Sequence, residues 1–331
     1  MRAHNFPSRY WRVLVSLPLL GTLVKLSALG AKKFTVDALH GAAEVERELS
    51  LEFQNVISKS ACFLTCMQIG DPGTGYLGNQ IFQVASMIGL AERFGWSWKF
   101  PSKINSTRVG LLFQFVGEYI DPNTVRAYKE KSLSYYEVDL GECNGGGISL
   151  EGYFQSPNYF SNSIQTLQRV LTVDRRFLKR IADAVPAVKA QNSVTVHVRR
   201  GDYTQLAHIY SLPSVEYYRR ALSKIKYIDT VIIVSNDVDW CKKNIEPGLP
   251  YKILYSPFTD ELSDFVLLLL GKHSILANSS FSWWSAYLKS FLRGRSQGQV
   301  VAPRPWYNPS GVNSYVNNAS FYPSSWIVMD I

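Results

Sequence analysis

At 331 residues and 37.4 kDa the chain is longer than one hydrophobic core usually organises, so two units of roughly 150 residues each are expected. With 46% hydrophobic and 13% aromatic residues it has ample material for a core, which excludes a disordered chain. The formal charge of +9 raises a nucleic-acid reading, but six cations (Arg2, Arg9, Arg12, Lys25, Lys32 and Lys33) precede Val36 without one acid, leaving 29 of the 35 Lys and Arg against 26 Asp and Glu. With no basic stripe and no reader motif in the body, no nucleic-acid partner is expected.

In chain order, residues 1–40 read as a targeting or anchor segment. The apolar run from Val13 to Val24 is about half the length that spans a bilayer, and Lys25 interrupts its continuation. An acid-free leader with arginine, serine and partial apolar character matches a mitochondrial transit peptide, which is the first expectation. A type II Golgi membrane anchor, with membrane association through the N-terminus, is the second. Sequons at Asn105, Asn278 and Asn318 become glycosylation acceptors only in the secretory pathway, and Asn278 lies where a glycan would obstruct the expected site. The four cysteines, Cys62, Cys66, Cys143 and Cys241, are too few for a disulfide scaffold and lack the spacing of a zinc or redox site. They read as buried free thiols, with one disulfide left open.

Ala61 to Ile69 reads as a buried strand, Gly70 to Gly78 as a glycine-rich loop, and Asn79 to Phe94 as a helix stopped by Gly95. A second strand at Trp96 to Phe100 begins a βαβ unit. Residues 108–150 are poorly periodic and close on a loop at Gly145-Gly146-Gly147. A helix follows from Pro157 to Leu171. Pro186 and the polar stretch Lys189 to Ser193 mark the boundary between an acceptor-side unit, 60–188, and a donor-binding unit, 189–331. Beyond it, strands at 194–198, 231–234 and 274–277 alternate with helices at 215–225, 262–270 and 283–292. That alternation predicts a parallel α/β sheet, whose ligands bind at the carboxyl ends of the strands.

Three constellations lie at such ends. His197-Val198-Arg199-Arg200-Gly201-Asp202-Tyr203 offers two guanidinium groups suited to a diphosphate, although an Arg–Asp ion pair tying a loop explains the same letters. Neighbouring side chains on a strand diverge, so at most one arginine need face a given phosphate unless the backbone turns at Gly201. Asn278-Ser279-Ser280-Phe281-Ser282-Trp283-Trp284 opens a helix after a strand, either as an N-cap on a packed aromatic helix or as an anion site. Asp264, with Asp260 and Glu261 a turn earlier, is a capping or dipole-complementing carboxylate, or one that accepts paired N–H donors from guanine.

Together with Gly75-Tyr76-Leu77-Gly78-Asn79-Gln80-Ile81-Phe82-Gln83 and Leu150-Glu151-Gly152-Tyr153-Phe154-Gln155-Ser156, these strings resemble, in order, the motifs of the α-1,2-fucosyltransferases of glycosyltransferase family 11. The resemblance covers roughly Leu64 to Trp306. It implies a GT-B-like fold of two Rossmann-like lobes with parallel sheets facing across a cleft, and inverting transfer from GDP-β-L-fucose to the 2-hydroxyl of a terminal galactose without a required metal. It implies catalytic roles for Arg199, Arg200, Asp202 and Asn79. Donor binding falls to His197, Arg199, Arg200, Asp264, Ser279, Ser280, Phe281 and Gly78. The loop Asp71 to Tyr76 is longer than the family's usual entry. Two other readings stand beside it: a metal-dependent transferase using Asp237 and Asp239 after a buried strand, and a sugar-nucleotide-binding protein without catalysis.

Overall fold

Strand β1 (Cys62–Thr65) is buried along its whole length and feeds a turn-rich loop into helix α1 (Leu77–Phe94). The computed structural model describes residues 62–121, 125–143, 145–292, 298–317 and 320–331, all of them within one compact unit, Ser58–Ile331. The targeting or anchor segment expected at 1–40 lies outside the described residues. Helix α1 starts two residues earlier than predicted and ends at Gly95, whose left-handed backbone (φ 70°) returns its N–H to the carbonyls of Ala91 and Glu92.

After α1 come β2 (Ser97–Trp98), β3 (Phe100–Pro101), α2 (Arg108–Phe113), β4 (Tyr119–Ile120), β5 (Val125–Lys129) and β6 (Gly146–Glu151). The first sheet has the order β2-β1-β6-β5 and every pair in it is parallel. The predicted loop at Gly145 to Gly147 is corrected here, because β6 begins at Gly146 and occupies the sheet's interior. Glycine stands at 147 for a packing reason: a side-chain carbon there would lie 2.3 Å from the Phe63 ring.

The predicted helix 157–171 resolves into two 3-10 turns, Pro157–Tyr159 and Ser161–Ser163, followed by α3 (Ile164–Val170). Helix α4 (Arg175–Ala184) then leads to β7 (Ser193–Val198), α5 (Asp202–Gln205), α6 (Val215–Ser223), β8 (Thr230–Ser235), α7 (Val238–Asn244) and β9 (Lys252–Tyr255). The chain closes through α8 (Glu261–Leu270), β10 (His273–Ile275), α9 (Ser280–Tyr287), β11 (Val300–Arg304) and β12 (Ile327–Asp330). This second sheet runs β12-β11-β10-β7-β8-β9, again wholly parallel. Strands β3 and β4 form a small third parallel pair, and the two larger parallel sheets flanked by helices give the α/β, GT-B-like class expected.

The two halves are joined by aromatic packing. Phe82 of α1 lies 4.7 Å from the ring of Trp283 and 5.0 Å from that of Trp284, both fully buried on α9. The tryptophans of the Asn278-to-Trp284 string therefore belong to the core, and its Ser280 bonds Asn79 of α1.

The cysteine reading is half corrected. Cys66 and Cys241 are buried free thiols, but Cys62 and Cys143 form a disulfide. The cause is strand register: β6 pairs with β1 so that Cys62 stands opposite Gly146, which brings Cys143 to a Cα–Cα distance of 6.2 Å across a separation of 81 residues.

Candidate functional site

The starts of α1 and α9 abut. A side-chain carbon on Gly78 would lie 2.4 Å from the Ser280 carbonyl carbon and 2.5 Å from the Phe281 amide nitrogen, so only glycine permits this approach. One residue on, Asn79 Oδ1 accepts from Ser280 Oγ at 2.7 Å and from Gln155 Nε2 at 2.8 Å. Asn79 thus gathers three segments that sequence motifs had only placed in order. Ser279 is the N-cap of α9 in an extended conformation, yet its side chain makes no capping hydrogen bond to the first amides of that helix.

Strand parity sorts the next residues. Val194, Val196 and Val198 of β7 pack in the cluster that holds Tyr217 and Tyr218 of α6, whereas Thr195 donates to the Leu268 carbonyl of α8 and the His197 ring lies 5.4 Å from Phe281 of α9. Arg199 and Arg200 lie just beyond the end of β7 at Val198. Their partners differ. Arg199 Nη2 donates to Asp202 Oδ2 at 2.8 Å, and its guanidinium lies 5.2 Å from the Tyr203 ring, behind which Tyr210 and Tyr307 stack at 4.7 and 5.7 Å. Arg200 lies 3.9 Å over the Trp240 ring of α7, with its backbone N–H on Asn236 Oδ1 and its Nε buried without a partner. Gly201, at φ 51°, makes the turn between them and the Asp202 helix.

His197 is buried, and desolvation first, then the neighbouring Arg199 charge, push its pKa down to about 3. It is a neutral side chain near Phe281 and supplies no cation for a phosphate. Phe281 in turn lies 5.3 Å from Phe265, which carries the row to the first turn of α8, where Asp264 accepts from Ser256 Oγ. Burial, with a smaller push from Asp260, raises Asp264 to about 6. Asp260 itself caps α8 through the Ser263 amide, and Glu261 pairs with Arg108 of α2 at 2.8 Å. Arg108 also lies over the Tyr76 ring, so the long loop before α1 is tied to α8.

The acidic triplet is otherwise explained. Asp237 caps α7 by accepting from the Trp240 amide, Asp239 is exposed, and among the described residues no group of three or more His, Cys, Asp or Glu is placed to hold a metal ion. Asn278 is fully buried and donates to the carbonyls of Ser211 and Trp306, so it is no glycan acceptor in the folded chain. Asn105 is exposed, while Asn318 lies outside the described residues. No helix among the described residues is long and apolar enough to cross a membrane. Sequence reasoning missed Trp240, Gln155 as the partner of Asn79, and the tyrosine stack behind Arg199. Gln155 carried a signal in the Leu150-to-Ser156 string, and Tyr203 of the stack in the His197-to-Tyr203 string.

Wholly parallel strands, an arginine pair just beyond the end of β7 and two abutting helix starts define an α/β protein with its candidate site at the strand ends. Residues 72–329 match the family described as Glycosyl transferase family 11, and the chain belongs to that family. An Escherichia coli protein named alpha-1,2-colitosyltransferase is 30% identical over 200 residues, covering 54% of this chain and 63% of that one. Galactoside alpha-(1,2)-fucosyltransferase 2 of Sus scrofa is 25% identical over 235 residues, covering 65% of this chain and 67% of that one. The chain thus spans less than two thirds of the length of the Escherichia coli relative. Among solved structures, POFUT1 in complex with GDP-fucose is similar over 73% of this chain and 97% of that chain, at 13% identity and a TM-score of 0.48.

Proposed function

We propose that the protein is a galactoside α-1,2-fucosyltransferase that moves L-fucose from GDP-β-L-fucose to the 2-hydroxyl of a terminal galactose, with inversion at the anomeric carbon. The observation that carries the reading is the meeting of the α1 and α9 starts around Asn79, on the side of β7 where the His197 ring lies against Phe281. Each helix start carries partial positive charge, so two of them side by side favour an anion there. A nucleotide diphosphate is such an anion. As the fucose C1–O bond breaks, negative charge grows on the departing β-phosphate, and Arg199, Arg200 and the first amides of α9 stabilise it electrostatically. Asp202 orients Arg199 through their ion pair, and Asp264 accepts N–H donors from guanine. No divalent ion is assigned to this chemistry.

Of the two destinations considered for the N-terminal segment, the Cys62–Cys143 disulfide favours the secretory one, because such bonds persist in oxidising compartments. The activity is tested by incubating the full chain with GDP-fucose, and separately GDP-colitose, plus a panel of β-galactosides, and assigning the product linkage by NMR. An α-1,2-fucosylated product is expected, and it should survive excess chelator. Tight GDP-fucose binding with no product on any acceptor would replace the reading with that of a binding protein.

A further inference from the structure

Glu130 directly follows β5 and touches the loop that β6 feeds. Its Oε2 accepts from the Tyr153 amide and its Oε1 from the Phe154 amide, each at 2.8 Å. From the other side, Gln83 and Ser86 of α1 donate to the carbonyls of Gly152 and Phe154, each at 3.0 Å. The loop held between them is sharply bent: Gly152 has φ 145° and Phe154 φ 49°, and a side-chain carbon on Gly152 would lie 2.4 Å from Glu130 Cβ. A bulky residue in the left-handed region keeps that shape only when its surroundings impose it. Held this way, the loop delivers Gln155 to Asn79, where Ser280 also bonds.

We propose that Glu130 is a positioning residue of the site: ionised, it grips the Tyr153 and Phe154 amides and so sets Gln155 against Asn79, making the junction of Asn79 with Ser280 complete only while Glu130 is charged. Its link to catalysis rests on the transfer reading above, whereas the order of the loop can be measured without it.

Burial pushes the Glu130 carboxyl up to about 7, against the lowering pull of the two amides. Protonation turns one acceptor oxygen into a hydroxyl set against an N–H, so the grip loosens as pH falls through about 7. The groups around it are Tyr136 after β5, Tyr153 on the gripped loop, Tyr159 on the 3-10 turn and Tyr307 after β11; burial raises all four phenols, so they stay neutral in this range. The adjacent Lys131 directs its ammonium over the Tyr128 ring. A carboxyl whose folded pKa is raised contributes stability at low pH that is lost as pH rises toward 7, opposite to the direction in which the grip improves. A merely structural group would move stability and transfer together.

The test measures kcat/KM for fucose transfer and amide hydrogen-exchange protection of residues 152–156, in the full chain and in Glu130→Gln, across the neutral range. In the wild type both should rise with pH with a midpoint near 7. In Glu130→Gln that step should vanish, leaving kcat/KM about tenfold below the wild-type alkaline plateau, the effect of one lost acceptor. The lower step of Asp264, at about 6, should remain in both. A step near 7 that survives in Glu130→Gln, or wild-type protection indifferent to pH, overturns the proposal. If the wild type transfers no fucose at any pH, it is the transferase reading that fails, and exchange alone decides Glu130. Should Glu130→Gln not fold, the pH response of wild-type protection decides it.

Discussion

Gly78 lies against the backbone of Ser280, so closely that a side-chain carbon at 78 would stand 2.4 Å from the Ser280 carbonyl carbon. Backbone has no rotamer with which to yield. Gly78→Ala should therefore push the α1 and α9 starts apart, weaken the Asn79–Ser280 bond and cost about 1–3 kcal/mol of stability. Thermal unfolding and GDP-fucose titration check both effects. Wild-type donor affinity in Gly78→Ala would show that the contact of the two helix starts is not part of the site.

Just beyond β7, Arg199 pairs with Asp202 while the Arg200 guanidinium rests half-buried on Trp240. A cation over an indole contributes on the order of 0.5–2 kcal/mol. Trp240→Leu should accordingly raise KM for the donor several-fold, while Arg200→Ala, which deletes the charge itself, should lower kcat/KM by about 100-fold, roughly the effect of removing one electrostatic donor from a developing anion. Both variants should keep the wild-type circular dichroism spectrum. Near-wild-type turnover in Arg200→Ala would remove it from the phosphate contacts.

The repeat of strands and helices from Ser193 to Tyr287 is legible in sequence because buried parallel strands such as Val231-Ile232-Ile233-Val234 are unbroken apolar runs between amphipathic helices. Strand β9, Lys252–Tyr255, is hidden for the converse reason: it is a sheet edge, only half buried, and mixes charge with apolar residues. Strand β6 is hidden by Gly146 and Gly147, which read as a turn. Within the site, Arg199, Arg200, Asn79, Ser280 and Gln155 all lie in motifs visible in sequence. Trp240 and Glu130 do not, since their roles depend on tertiary neighbours: Trp240 sits on the crossover helix after β8, and Glu130 at a strand end whose partner loop begins only after β6.

The Cys62–Cys143 disulfide closes a loop of 81 residues around the first sheet. In the chain-entropy account such a closure stabilises by on the order of 4 kcal/mol. Replacing both cysteines with alanine, or reducing the bond, should lower Tm by several degrees, and should leave transfer near wild type at temperatures where the fold persists, since Cys62 lies on the buried strand β1, away from Asn79. Differential scanning calorimetry with and without reductant checks the first part, and transfer assays on the double variant the second. An unchanged Tm would mean that the bond does not form in the purified chain.

If Asp264 reads guanine as proposed, donor affinity should depend on pH with a fixed sign. Burial raises its carboxyl from the usual carboxylate range to about 6, so the folded chain holds a proton there that the unfolded chain has released. Its contribution to stability is therefore largest in acid and is lost as pH rises toward about 6. Guanine needs the opposite: two N–H donors are satisfied by an ionised carboxylate and opposed by a protonated one. GDP affinity should thus fall as pH drops through about 6, while the fold becomes no less stable on account of this group. Asp264→Asn should flatten the response near pH 6 and weaken GDP more than UDP, because its amide presents one acceptor and one donor to the base edge. Isothermal titration of both nucleotides against pH decides it: a variant that binds GDP as tightly as the wild type above pH 6 would take Asp264 out of base recognition.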